Sequence, residues 1–284
     1  MAENPIKAAF ARKFREYVET FNNHVAAADG QWTIKGFIDI YKNVYTISCD
    51  TKIVSKILEI HLFPQLLKFA EDNGYRIVLA DHQNYYPDIT FVHATDNKIK
   101  FAVDFKTTYR KPDMPGYCNG FTLGSHGKYF TDRTSRKNIQ FPYNDYSGHF
   151  CLGIIYTRSA STDIDETAAF NLDKLQSIPS VIKDFQFFFV EKWQIASDKS
   201  GSGNTANIGS ITKIPEIIEG KGMFCQLGEP WFDDYWMNYG KITIRNAAGE
   251  TKKISNLHDF VTYRSGDVAK ITRRTNSTRK KGVL

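Results

Sequence analysis

Two short stretches of this chain hold residue types that can do chemistry together. Tyr86-Pro87-Asp88 is followed, after fifteen intervening residues, by Asp104-Phe105-Lys106. Paired carboxylates are hard oxygen donors of the kind that suit Mg²⁺, which keeps several waters and accepts phosphate oxygens as further ligands. Such an ion acts as a Lewis acid on a phosphodiester and lowers the pKa of a bound water. A neighbouring lysine can orient the attacking hydroxide and offset the charge that builds on the phosphoryl group. The set therefore points to metal-assisted phosphodiester hydrolysis. The plain alternative is an ion pair on a sheet edge, because so short a pattern also recurs by chance.

A hairpin must position these residues. Thr95-Asp96-Asn97-Lys98 lies midway and has the composition of a turn. Folding the chain there brings Asp88 near the level of Phe105. Phe101, Val103 and Phe105 alternate with Ala102, Asp104 and Lys106, so one face can enter a core while Asp104 and Lys106 project together from the other. The expected strands are 75–79, 88–93 and 99–107, then 150–157 and 185–195, with two shorter ones inside 32–47.

Helices should flank this sheet. Phe10, Phe14, Val18, Phe21 and Val25 recur at steps of three and four, which predicts one amphipathic helix over 6–27. A second should start at Asp50, a good N-cap, with Ile53, Val54, Ile57 and Leu58 buried and Lys52 and Glu59 on the polar face. Pro64 is expected to restart that helix, and Asn73-Gly74 to end it. The stretch from Arg110 to Tyr146 reads as loop-rich, with Lys128, Arg133, Arg136 and Lys137 as a solvated charged face. The sum is an α/β fold, an α+β mixed sheet flanked by helices.

Composition sets the outer bounds. With 284 residues, 42% hydrophobic and 24% charged, the chain is ordinary globular material, which excludes disordered and collagen-like classes. Its 37 basic and 31 acidic residues leave a net charge of +6, which permits a nucleic-acid partner without requiring one. Cys49, Cys118, Cys151 and Cys225 form no CxxC pair. The N-terminus lacks the apolar stretch of a secretory signal, and no run approaches the roughly 18 apolar residues of a membrane span. These features lead us to expect a soluble protein of a reducing cytoplasm with no membrane association. There is no G-x-S-x-G elbow, no H-E-x-x-H and no P-loop.

The small-residue run Gly201-Ser202-Gly203-Asn204-Thr205-Ala206-Asn207 allows three readings. It can be a surface connection. It formally fits a G-x-G-x-x-A dinucleotide pattern, but the following NIGSITKIP is no helix start, so this reading is rejected. Or it can read DNA, since glycine permits close backbone approach, asparagine can pair with adenine N6/N7 and threonine can touch a thymine methyl. Gln83 and Asn84 are amides set just before Tyr86-Pro87-Asp88, and by pattern alone they are simple loop polarity. Glu59, by pattern alone, is an ordinary solvated glutamate.

Taken in order along the chain, these pieces resemble the type II restriction endonucleases of the PD-(D/E)xK nuclease superfamily. The matching residues are Asp50-Thr51-Lys52 with Glu59, then Gln83-Asn84, Tyr86-Pro87-Asp88, Asp104, Lys106-Thr107-Thr108-Tyr109 and Phe121-Thr122-Leu123-Gly124. Tyr156-Thr157-Arg158, Lys192-Trp193, the run from Gly201 to Ile211, Glu219-Gly220-Lys221-Gly222 and Asp234-Tyr235-Trp236 complete the series, over roughly residues 30–240. The carboxylate motif is shared by many nucleases, whereas the GSGNT-x-NIGSI run is specific.

The resemblance implies a homodimer with a U-shaped cleft for double-stranded DNA, Mg²⁺ as cofactor, and blunt cleavage at the centre of a palindromic six-base site, GATATC. It implies a single endonuclease domain over 1–284, with a dimerisation region near 30–47, a catalytic core about 48–160 and DNA recognition about 185–284. Asp88 and Asp104 would be metal ligands, Lys106 the catalytic lysine and Glu59 an auxiliary, metal-binding carboxylate. Gly201, Ser202, Gly203, Asn204, Thr205, Ala206 and Asn207 would read the major groove. Gln83 and Asn84 would lie along the minor groove, and Thr51, Thr107 and Thr108 would also contact DNA. A separate methyltransferase would protect the genome of a bacterial host. Tyr85 and Ala206 stand where the matching pattern has histidine and threonine. A structure-specific repair or junction nuclease and a non-catalytic DNA-binding protein are the rival readings.

Overall fold

The computed structural model describes residues 4–82, 84–160, 165, 167–201, 206–245 and 251–272. The N-terminal quarter holds helices α1 (Pro5–Val18) and α2 (Phe21–Val25), strands β1 (Gly36–Ile38) and β2 (Asn43–Thr46), and helix α3 (Thr51–Asp72). Strands β3 (Tyr75–Leu79), β4 (Ile89–His93), β5 (Lys100–Tyr109) and β6 (Thr122–Ser125) follow, then the short helix α4 (Lys128–Thr131). Strands β7 (Gly148–Arg158), β8 (Ala169–Asn171), β9 (Ile182–Glu191), β10 (Ala196–Ser200) and β11 (Asn207–Ser210) come next. Helices α5 (Ile214–Ile218) and α6 (Glu229–Asn238), strands β12 (Thr243–Arg245) and β13 (Thr251–Lys253), and helix α7 (Leu257–Tyr263) close the described chain.

A five-stranded mixed sheet in the order β3-β4-β5-β7-β9 forms the centre. β3, β4 and β5 form an antiparallel meander, β7 lies parallel to β5, and β9 returns antiparallel to β7. Each face of the sheet has its own core. Phe101, Val103 and Phe105 meet Phe10 and Phe14 of α1 and Leu58, Leu62 and Phe69 of α3. On the opposite face Ala102, Cys151 and Phe188 join Leu123, Ile208, Phe232 and Trp236. The alternation read along β5 therefore divides the strand between two cores, and helices flank the sheet as expected.

Four expectations need correction. The helix expected over 6–27 is two helices, because the Thr20 hydroxyl donates to the Tyr17 carbonyl at 2.7 Å and ends the first of them. Helix α3 runs unbroken through Pro64, held by the fully buried Leu58, Leu62 and Leu66 on either side of it. Its N-cap is as expected, Asp50 accepting from Lys52 N–H at 2.8 Å and Ile53 N–H at 3.3 Å. Ile53, however, is 40% exposed and does not join Val54, Ile57 and Leu58 in the core. The strand expected over 185–195 stops at Glu191, where a capping box between Glu191 and Gln194 starts a 3-10 turn, Lys192–Ile195.

The segment from 110 to 146 is largely loop, with β6 and α4 inside it. β6 pairs with β11, and β11 with β10, so a second small sheet stands beside the central one. Gly209 makes this pairing possible: a Cβ there would lie 2.5 Å from the Lys199 carbonyl oxygen. β1, β2 and β8 form a third sheet, on which Phe37 and Ile38 are exposed. Among the described residues no helix is long and apolar enough to cross a membrane.

Candidate active site

The hairpin register brings the two halves of the motif together. Ile89 pairs with Val103, so Asp88, one residue before β4, stands across from Asp104. The Phe105 main-chain N–H donates to Asp88 Oδ2 at 2.7 Å. Phe105 is itself anchored, its ring in the α1/α3 core, so Asp88 is fixed to the sheet. Lys106 Nζ lies 2.5 Å from Asp104 Oδ2, with side-chain exposures of 17% and 7%. All three residues open onto one polar cleft of about 320 Å³.

Electrostatics follow from this crowding. Burial, and then the neighbouring Asp104 charge, push the Asp88 carboxyl up to about 7, although Lys106 pulls the other way. Burial also works against the Lys106 ammonium, but Asp104 and Asp88 more than offset it and hold its pKa above the ordinary lysine value. Lys106 is therefore a permanent cation between two carboxylates.

The donor set fits a hard divalent cation. Asp104 Oδ2 is buried and accepts no aligned hydrogen bond; its one close partner is the Lys106 ammonium at 2.5 Å, so a bound cation would share this oxygen with Lys106. Among the described residues no three His, Cys, Asp or Glu side chains converge. The protein would thus supply Asp88 and Asp104, and water and phosphate oxygens the rest, the usual Mg²⁺ arrangement.

Glu59 is not brought to this pair. Its carboxylate accepts from Lys56 at 2.8 Å, and it lines a neighbouring cavity of about 510 Å³ with Thr51, Lys52, Thr107 and Lys106. Lys106 borders both cavities, so Glu59 and Thr51 face the site from its other side. Thr108 lies elsewhere: it is buried, and its hydroxyl donates to the Asn119 carbonyl at 2.6 Å.

Asn84 and Asn207 both line the Asp88–Asp104 cleft. Gly201 N–H donates to the Asn207 carbonyl at 2.8 Å, which closes the base of the β10–β11 connection. The Ala206 carbonyl accepts from His126 N–H at 2.8 Å and ties that connection to the segment after β6. A strand follows the connection, in agreement with rejection of the dinucleotide pattern. Gln83, Ser202, Gly203, Asn204 and Thr205 lie outside the described residues.

Other cleft residues were not legible as such. Ser125, Lys128, Lys137 and Asn138 line it, although the lysines read as part of a solvated face. Tyr86 N–H donates to the Asn138 carbonyl at 3.1 Å and Gln140 N–H to the Tyr86 carbonyl at 2.8 Å, a pairing across more than fifty residues that brings Lys137 to the site. No local periodicity announces such a bridge.

Comparison with known proteins identifies the family. A family model described as restriction endonuclease EcoRV matches residues 28–265. The type II restriction enzyme EcoRV of Escherichia coli is 37% identical over 232 residues, which covers 81% of this chain and 90% of that enzyme. With the match spanning the hairpin, the cleft and the β10–β11 connection, the chain belongs to the EcoRV family of type II restriction endonucleases.

Proposed function

We propose that this enzyme cleaves both strands of DNA at GATATC, bluntly and with Mg²⁺, as a homodimer. The observation that carries the reading is the convergence of Asp88, Asp104 and Lys106 on a polar cleft that also receives Asn84 and Asn207. Asp88 and Asp104 would hold the ion. When bound, Mg²⁺ supplies Lewis-acid polarisation of the scissile phosphate and a water of lowered pKa. Lys106 holds its charge beside the reacting phosphate and stabilises the negative charge that develops there. The Phe105 N–H keeps Asp88 from turning out of the cleft. Hydrolysis would leave a 5′-phosphate and a 3′-hydroxyl. Glu59 would act as the auxiliary carboxylate from the adjoining cavity, where Thr51 and Thr107 offer hydroxyls to the DNA backbone.

The connection from Gly201 to Asn207 would read the major groove, and Gln83 and Asn84 the minor groove. Bending the DNA would add specificity at the central step, at a cost of order 1–6 kcal/mol. A palindrome calls for a twofold dimer. Exposed apolar residues on β1 and in the turn between β1 and β2 support one, with Phe37 54%, Ile38 58%, Ile40 87% and Tyr41 80% exposed. Dimerisation would thus use the region near 30–47, catalysis about 48–160 and recognition about 185–284. A bacterial cytoplasm, with a separate methyltransferase protecting the same site, completes the proposal. Digestion of a sequenced plasmid with Mg²⁺, followed by sequencing of the fragment ends, tests it. Blunt ends within GATATC are expected; discrete cuts at another sequence would reject the specificity, and cuts at branched DNA alone would favour the junction nuclease.

A further inference from the structure

Lys192 is the first residue of the 3-10 turn after β9, and it is 1% exposed. Among the described residues its Nζ has no hydrogen-bond partner. The ammonium stands instead over the rings of Tyr86, Phe130 and Tyr143, at 4.9, 5.5 and 5.9 Å from their centroids. Main chain closes in as well. Gly124 has φ +84°, and a Cβ there would lie 3.4 Å from Lys192 Nζ. Tyr86 carries Pro87 and Asp88 directly after it, so this enclosure is the back wall of the cleft.

A buried ammonium without a hydrogen bond is costly, and a methionine would fill the same aromatic enclosure without that cost. The rings repay part of it through cation–π attraction. The rest comes from charge: burial pulls the Lys192 pKa down to about 8, and Asp104 is the largest influence restoring it, so the group remains a cation at neutral pH. Two carboxylates, Asp88 and Asp104, are then balanced by two ammonium groups, Lys106 beside the pair and Lys192 behind the cleft wall, whose charge acts on Asp104. The DNA-free site carries no net negative charge to draw in a divalent cation. A scissile phosphate brings the missing negative charge.

We propose that Lys192 is a positioning residue that acts through Asp104 to keep the divalent-cation affinity of the DNA-free site low, so that cation and DNA load together. This rests on the reading of Asp88 and Asp104 as the metal-binding pair. Lys192 touches neither DNA nor the reacting atoms, since it has no surface in the cleft.

The test is calorimetric titration of the full-length protein with Ca²⁺, a probe that needs no turnover, with and without a duplex bearing GATATC. Lys192→Met and Lys192→Gln should each bind Ca²⁺ about tenfold more tightly than wild type in the absence of DNA. Lys192→Arg, which retains the charge, should match wild type. Folded Met and Gln variants with unchanged or weaker Ca²⁺ binding would overturn the proposal. Failure of both to fold while Lys192→Arg folds would also overturn it, by making the ammonium a structural counter-ion only. Absence of Ca²⁺ binding by wild type even with DNA would instead reject the metal pair itself, and this inference with it.

Discussion

The main-chain N–H of Phe105 donates to Oδ2 of Asp88 across 2.7 Å, tying the end of one strand to the next at the point where both carboxylates emerge. Because Phe105 also packs its ring into the core on the other face, the same residue serves stability and the site. The bond lowers the cost of an ionised Asp88, but it does not cancel burial and the nearby Asp104 charge.

Asp88 should therefore make metal-free stability depend on pH. Its folded pKa, about 7, lies above the ordinary 3.8, so the folded state retains a proton that the unfolded state loses. The contribution of this group is greatest at low pH and declines as pH rises from about 4 to about 7, by at most about 1.4 kcal/mol per pH unit. Urea melts in EDTA at about pH 5 and about pH 8 should show a smaller loss for Asp88→Asn than for wild type. Equal losses would mean that the carboxyl is not perturbed.

Lys106→Ala should reduce cleavage by roughly 10²–10³-fold while sequence-specific binding in Ca²⁺ survives. It also leaves the buried Asp104 carboxylate without the ammonium that sits 2.5 Å away. Metal-free stability should then fall by about 3 kcal/mol near neutral pH, measured by urea unfolding. Near-wild-type cleavage would assign Lys106 to structure alone.

Ile40 and Tyr41, 87% and 80% exposed at the tip between β1 and β2, lie where the dimer is expected to form. Wild type should sediment as a dimer, and Ile40→Asp should shift it toward monomer. Double-strand cuts should decline with it, since one subunit meets one strand of the palindrome. A wild-type monomer that still cuts both strands would contradict the dimer.

Residues 270–284 hold six Lys or Arg and no acid. Their deletion should weaken DNA binding across sequences and flatten its salt dependence, because fewer counterions are released. An unchanged slope of log K against log salt would make the tail a solvated end.

The centre of the site was legible in the sequence for a local reason. A two-residue period on either side of Thr95–Lys98 puts Asp88 near the level of Phe105, one residue from the observed register, in which it stands across from Asp104. The helix after Asp50 was equally clear from its cap, although Pro64 misled, because buried leucines outweigh one lost main-chain bond. What lay beyond reach was set by distant pairing. The parallel alignment of β5 with β7, the Tyr86–Asn138 bridge and the enclosure of Lys192 join segments that show no shared pattern. Glu59 shows the same limit, since its pairing with Lys56 is local but its distance from the carboxylate pair is a matter of tertiary packing.

The most direct test of the account compares wild type with Asp104→Ala on a GATATC duplex, with Mg²⁺ and with EDTA, under single turnover. Wild type should cleave only with Mg²⁺. Asp104→Ala should keep its fold, bind the duplex and cleave it orders of magnitude more slowly, because it loses one of the two carboxylates that would hold the cation in the cleft. Cleavage by Asp104→Ala near the wild-type rate, or wild-type cleavage that persists in EDTA, would contradict it.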